Sequence, residues 1–178
     1  GGYAHLYAQD LSSNERMNAS LREFVEQGGV LYAEAGAAAY LCGELVLSDG
    51  TTFAGAGVLR GRATSLFPER HFVEPQYVQV RSVESSVVGR VGDEFRGLLD
   101  GRWLIEAEEG SFRCFAIESP LSGGARSEPG RAGREGWSPR PHALITQVHA
   151  HWGSNPHFAR AFVDACCANV HAVESSST

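Results

Sequence analysis

The chain predicts an α/β fold: a mostly parallel sheet flanked by helices, with a β-rich segment in the middle. Three observations carry this. Residues 30–34, "VLYAE", form an apolar strand-like run that meets a tight turn, Ala35-Gly36-Ala37, and passes into an Ala-rich stretch. Residues 143–170 repeat the order, strand first and helix second. Between them lie short runs, some alternating, separated by turn residues. Apolar strands that alternate with helices indicate a sheet covered on both faces.

Each element has its own signal. Residues 11–27 read as a helix, because Ser12 and Glu15 have the capping-box spacing and Met17, Leu21, Phe24 and Val25 share one face. Gly28-Gly29 ends it. The strand at 30–34 follows, then the turn, then a helix to about residue 45. Residues 51–59, 77–83, 102–107 and 112–118 read as strands, with Asp49-Gly50 and Glu109-Gly110 as hairpin connections. Residues 119–142 are rich in Gly, Pro, Ser and Arg and predict a flexible insertion loop. Residues 143–148 read as a buried strand. Pro156 then suits the first position of a helix, with Asn155 or Ser154 as its cap and Phe158, Phe162, Ala165 and Cys166 on its inner face. The expectation is one domain over residues 1–171, followed by a disordered tail at 172–178.

Composition excludes several roles. The net charge is −6, so no basic excess exists to neutralise the phosphates of a nucleic acid. No apolar run approaches the length of a membrane span. All 15 basic residues are arginine, which removes the lysine of a phosphate-binding loop or a Schiff base. The cysteines, Cys42, Cys114, Cys166 and Cys167, form no C-x-x-C pair and read as reduced core residues of an intracellular protein.

In a parallel sheet, sites form beyond the carboxyl ends of the strands. Two such ends stand out, residues 34–36 and 148–152. His149 and His151 alternate with Ala150, so both imidazoles lie on one side if the strand continues through them. A histidine pair suits a base with its orienting partner, half of a metal site, or a purely structural role. No further His, Cys, Asp or Glu with ligand spacing supports a metal. Glu34 reads as a structural contact and Trp152 as core packing.

Taken together, these pieces resemble the glutaminase domain of the cobyrinic acid a,c-diamide synthase and cobyric acid synthase family, class I glutamine amidotransferases of cobalamin biosynthesis. "GGYAHL" is similar to that family's Gly-Gly-Tyr-Pro-Glu turn, and "LSSNERM" to its Leu-x-x-Asn-x-x-Met helix start. "LYAEAGAAAYL" parallels Ile-Tyr-Ala-Glu-Cys-Gly-Gly-Leu-Met-Tyr-Leu, and "GVLRG" resembles Gly-Val-Leu-Pro-Gly. "VHAHWGSNPHFARAFV" resembles the closing His-x-His-(aromatic)-x-Ser-x-Pro segment. The likeness runs in order from residue 1 to about residue 165.

The resemblance implies a class I glutamine amidotransferase-like fold and a set of roles. Ala35 stands at the position of the cysteine nucleophile, which attacks glutamine and frees ammonia. Gly36 and Gly2 stand where the oxyanion-hole N–H donors are expected. His149 matches the general base, and His151 falls where the third member of the triad orients it. With a methyl group at residue 35, the resemblance implies a pseudoenzyme that lacks glutaminase activity. Two further departures accompany it. The family's His-Glu-Phe-His-Tyr-Ser continuation is replaced around "GDEFRG", and Ala4-His5 replace the Pro-Glu of the first turn.

The family domain also begins earlier, so the chain reads as N-terminally truncated and without the ATP-dependent synthetase domain. The cofactor expectation is therefore none in this chain, with ATP and Mg²⁺ confined to that synthetase domain. The expected partners are glutamine as a small-molecule ligand and a synthetase domain or subunit, with neither nucleic acid nor membrane. The expected location is cytoplasmic, organelle targeting being left open by the truncation. The alternative is a non-catalytic interaction or regulatory domain.

Overall fold

The computed structural model describes residues 3–66, 75–108, 112–120 and 133–176. Two short helices, α1 (Ala8–Ser13) and α2 (Glu15–Glu26), lead into β1 (Leu31–Glu34) and α3 (Gly36–Tyr40). Seven strands follow: β2 (Cys42–Val46), β3 (Thr52–Ala54), β4 (Leu59–Ser65), β5 (Gln76–Ser82), β6 (Glu94–Leu99), β7 (Trp103–Ala107) and β8 (Phe112–Pro120). Then come β9 (Arg134–Arg140), β10 (Ala143–Thr146), β11 (Val148–Ala150), a single 3-10 turn (Trp152–Ser154) and α4 (Pro156–Ser176). No helix among the described residues is long and apolar enough to cross a membrane.

Seven strands form one sheet, in the order β1-β10-β9-β8-β5-β6-β11, and four form a second, β3-β2-β4-β7. The α/β class holds, but among the described residues parallel pairing is confined to β1–β10 and β2–β4, and every other pair is antiparallel. Expecting a mostly parallel sheet extrapolated from the strand-turn-helix segment at 30–40 to a middle region that runs as an antiparallel meander.

The large sheet separates two cores. One face packs with the small sheet around Leu45, Leu59, Trp103, Trp137 and Ile145. The other packs with α4 around Val80, Phe95, Phe115, Leu144 and Phe158. β10 is buried at all four positions, which accounts for its uninterrupted apolar character: Leu144 enters one core and Ile145 the other.

Several local expectations are corrected. The first helix breaks at Asn14, whose side chain accepts from Met17 N (3.2 Å) and caps α2, so the Ser12 capping box does not form. Its expected inner face is half realised: Val25 is buried, while Met17 and Phe24 are exposed. The helix expected to reach residue 45 ends at Tyr40, because Cys42–Val46 is claimed by strand pairing with β3 and β4. Tertiary pairing overrides the helix propensity of the Ala-rich run.

The Asp49-Gly50 turn does join paired strands, β2 and β3. β7 and β8 belong to different sheets, and Glu109-Gly110, expected as a hairpin connection, lie outside the described residues. The loop expected over 119–142 is corrected at both ends. β8 runs to Pro120, and β9 occupies 134–140 in the middle of the large sheet with Trp137 buried. Residues 121–132 lie outside the described ones. Helix α4 continues to Ser176, past the expected start of a tail at 172.

One irregularity places the two strand ends that matter. β10 and β11 are a single run, 143–150, that pairs with β1 and β9 in its first half and with β6 in its second. The changeover falls at Gln147, and its polar groups are satisfied. Gln147 N and Thr146 Oγ1 both donate to the Glu135 carboxylate (2.5 Å each), and Gln147 Nε2 donates to Trp103 O (2.6 Å). This run rolls the sheet so that its last strand returns beside its first. Gly97 permits the closing contact, because a Cβ there would lie 2.4 Å from Val148 Cγ1 and 2.8 Å from His149 O.

Glu135 is a carboxyl inside a protein core. Burial pushes it up from its ordinary 4.5 to about 7, against the opposing pull of the Gln147 and Thr146 hydrogen bonds. The folded state therefore binds this proton more tightly than the unfolded chain does. The associated stability is fully present below about pH 4.5 and is lost as pH rises through about 7. A rise of that size corresponds to roughly 3 kcal/mol. Urea melts from pH 5 to pH 8 should show the chain losing up to that much stability, and Glu135→Gln should flatten the dependence. Parallel curves for the two proteins would show that Glu135 titrates as an exposed carboxyl does.

Candidate functional site

The site assembles where β1 turns into α3. Ala35 joins them at φ 55° and ψ −125°, and it is the only non-glycine residue at positive φ among the described residues. For a residue with a Cβ this backbone costs about 1–3 kcal/mol. It is over-determined by its neighbours. Ala35 N donates to Thr146 O (2.9 Å), and Ala35 O accepts from Ala38 N (3.0 Å) as the helix begins. Gly36, the first residue of α3, is buried. The result is a sharp strand-to-helix elbow with the side chain of residue 35 at its apex, the geometry in which a nucleophile is displayed.

Glu34 and His149 meet beside this elbow. The Glu34 carboxylate contacts His149 Nδ1 through one oxygen. Its other oxygen accepts from Tyr32 Oη (2.7 Å) and from Ala150 N (3.2 Å). Glu34 is mostly buried while the His149 ring is two-thirds exposed, so an imidazole open to solvent is held from below by a fixed carboxylate. Tyr32 is itself partly buried, and that burial raises its hydroxyl well above the usual phenol range, which keeps it a proton donor to Glu34.

His151 lies two residues on, at the entry to the 3-10 turn, and is exposed. Its backbone N donates to Arg96 O (2.8 Å) and its carbonyl accepts from Ser154 Oγ (2.7 Å). The group on Nδ1 of His149 is Glu34 and not His151. Sequence reasoning treated Glu34 as a structural contact; the available signal was its position at the strand end, one residue before the elbow.

Trp152 packs edge-on against Tyr32 (5.2 Å) and Phe158 (4.9 Å), so the packing expected of it is present, and it also borders the site. A cavity of about 480 Å³ opens beside the elbow, lined in part by Tyr32, Glu34, Ala37, Tyr40 and Trp152. Gly2 lies outside the described residues. Cys42 presents no thiol to this site: it is fully buried, burial pushes it up to about 12, and its sulfur faces Ala38 O at 3.5 Å. Among the described residues, no group of three or more His, Cys, Asp or Glu is arranged to hold a metal ion.

Comparison with known proteins places this architecture. A crystal structure of a glutamine amidotransferase superposes on 84% of the chain and 67% of its own length, with a TM-score of 0.55 and 16% identity. The fold is thus that of a glutamine amidotransferase. The chain is 31% identical over 166 residues to the cobyrinate a,c-diamide synthase of Leptospira interrogans, covering 93% of this chain and 35% of the relative. It is 29% identical over 167 residues to the hydrogenobyrinate a,c-diamide synthase of Streptomyces coelicolor, covering 93% of this chain and 30% of the relative. No protein-family model matches. The chain is similar to one segment of these a,c-diamide synthases, and it spans about a third of their length.

Two measurements test the site's geometry. Because a carboxylate only accepts, neutral His149 should carry its proton on Nδ1. Nitrogen-15 chemical shifts should show that tautomer, and Glu34→Gln should release it to a mixture; an unchanged tautomer would dissociate Glu34 from His149. At the elbow, Ala35→Gly relieves the strain at the cost of about 0.4–1 kcal/mol of added unfolded-state freedom. Thermal melts should therefore show Ala35→Gly at least as stable as the parent, whereas a loss of more than about 1 kcal/mol would mean the backbone is unstrained.

Proposed function

We propose that this chain is the glutamine amidotransferase segment of a corrinoid a,c-diamide synthase in which glutamine hydrolysis has been lost. The observation that carries the reading is Ala35 at the apex of the elbow, beside an intact Glu34–His149 pair. In the chemistry this scaffold suits, a thiol at residue 35 attacks the side-chain amide carbon of glutamine and passes its proton to His149. Ammonia leaves with a proton returned from the imidazole, and water then cleaves the thioester to give glutamate. Gly36 N–H, at the start of α3, is the donor we assign to the oxyanion, with Gly2 as the second. His149 is the base, Glu34 orients it, and His151 borders the same opening.

A methyl group forms no thioester. Loss of a nucleophile removes about 10⁶ of kcat, leaving what binding and the oxyanion donors supply. The chain contains no lysine and hence no Gly-Lys phosphate loop. We therefore assign ATP, Mg²⁺ and the amide-forming step to the synthetase part that the longer relatives' names imply. In this reading the segment keeps glutamine binding or a docking role toward that synthetase.

The test uses amide-labelled glutamine. Ammonia release by the chain should not exceed that of a His149→Ala control, and Ala35→Cys should raise it by at least about a thousandfold. Turnover by the unaltered chain above the control would refute the loss. An inert Ala35→Cys protein whose fold is retained would show that more than the sulfur has gone.

A further inference from the structure

The rolled sheet leaves one face of β5, β6 and β11 without a layer over it among the described residues. Strand alternation sends Val78, Phe95, Gly97, Val148 and Ala150 inward, and their neighbours along each strand outward. Pairing register aligns the outward residues into two rows. Tyr77, Leu98 and His149 are direct cross-strand neighbours. Arg96 lies one row along, opposite Gln79, and its carbonyl holds His151 N at 2.8 Å. Ser154 Oγ accepts from Arg96 N (2.9 Å) and donates to His151 O (2.7 Å), which fixes the second row to the 3-10 turn. A groove of about 760 Å³ lies over these residues and Trp152.

The groove has two ends of different chemistry. Tyr77, Leu98 and Trp152 give an aromatic and aliphatic bed, and Tyr77 is 63% exposed. At the other end, the Arg96 guanidinium has no ion pair or side-chain hydrogen bond among the described residues, on a protein of net charge −6. The nearest outward carboxylate on its strand, Glu94, is already engaged by Gln79 (3.3 Å) and by Arg81 (3.8 Å). Glu34, the other acid nearby, is committed to His149. An unpaired guanidinium fork beside an imidazole suits a planar carboxylate. The volume lies in the range of about 300–1,000 Å³ that holds ligands with a substantial apolar body.

We propose that this outer face is a binding site for an amphipathic organic carboxylate, its charge on Arg96 and His151 and its apolar body across Leu98, Tyr77 and Trp152. The bed is far more apolar than the side-chain amide of glutamine calls for, so the ligand class differs from that of a glutaminase substrate. The site shares His149 with the elbow but stands without the loss of glutaminase activity: the hydrolysis test turns on residue 35 and this one on residue 96.

The experiment titrates the intact chain with 2-naphthoate and, separately, its neutral relative 2-naphthamide, by calorimetry and tryptophan fluorescence. The acid should bind about tenfold or more tightly than the amide, and Arg96→Gln should weaken the acid by about tenfold or more while leaving the amide and the melting temperature unchanged. Glutamine should not displace the acid. Equal affinity for acid and amide, an Arg96→Gln protein that binds the acid normally, displacement by glutamine, or no binding of the acid at millimolar concentration would each overturn the assignment.

Discussion

The Glu34 carboxylate holds the site together because it joins chain segments that are far apart in sequence. It sits at the end of β1 and reaches across to both the ring of His149 and the backbone N–H of Ala150. Mostly buried carboxylates of this kind are stable only when their acceptor capacity is filled, and here Tyr32, Ala150 and His149 fill it. The contact thereby fixes the orientation of the imidazole relative to the elbow at the adjacent residue, 35.

That contact requires the sheet to roll. A flat sheet in the order β1-β10-β9-β8-β5-β6-β11 would put its first and last strands at opposite ends. They meet because β10 and β11 are one run, which leaves one set of neighbours and joins another at Gln147. Glu135 satisfies the polar groups exposed at the changeover, and Gly97 lets β6 approach the second half of the run. A buried carboxyl at the changeover is costly to ionise. The placement of His149 is thus tied to a core group whose proton is held up to about pH 7.

The elbow keeps its strained backbone although residue 35 is alanine. The reason lies outside the residue: Thr146 O anchors its N–H from β10, and α3 begins at once on its other side. Strain of this kind persists when the surroundings over-determine it. The elbow geometry is therefore held by its surroundings and not by the side chain at its apex, and the Glu34–His149 pair stands beside a methyl group.

The sequence alone determined a good deal. The strand-turn-helix at 30–40, the buried strand near 143–146 and the final helix were legible from apolar runs and small-residue turns, which are local signals. So were Ala35 at the apex and the two histidines on alternating positions, since residue types at strand ends need no partner to be noticed. The antiparallel character of the large sheet, the strand at 134–140 within a Gly- and Pro-rich stretch, and the short α3 were decided by pairing between distant segments. Local composition carries no information about such pairing. The same holds for Glu34: its place before the elbow was visible, but its bond to His149 exists only once residues 115 positions apart are brought together by a rolled sheet. The uncovered groove with Arg96 is likewise a product of register, which side-chain alternation constrains and tertiary structure sets.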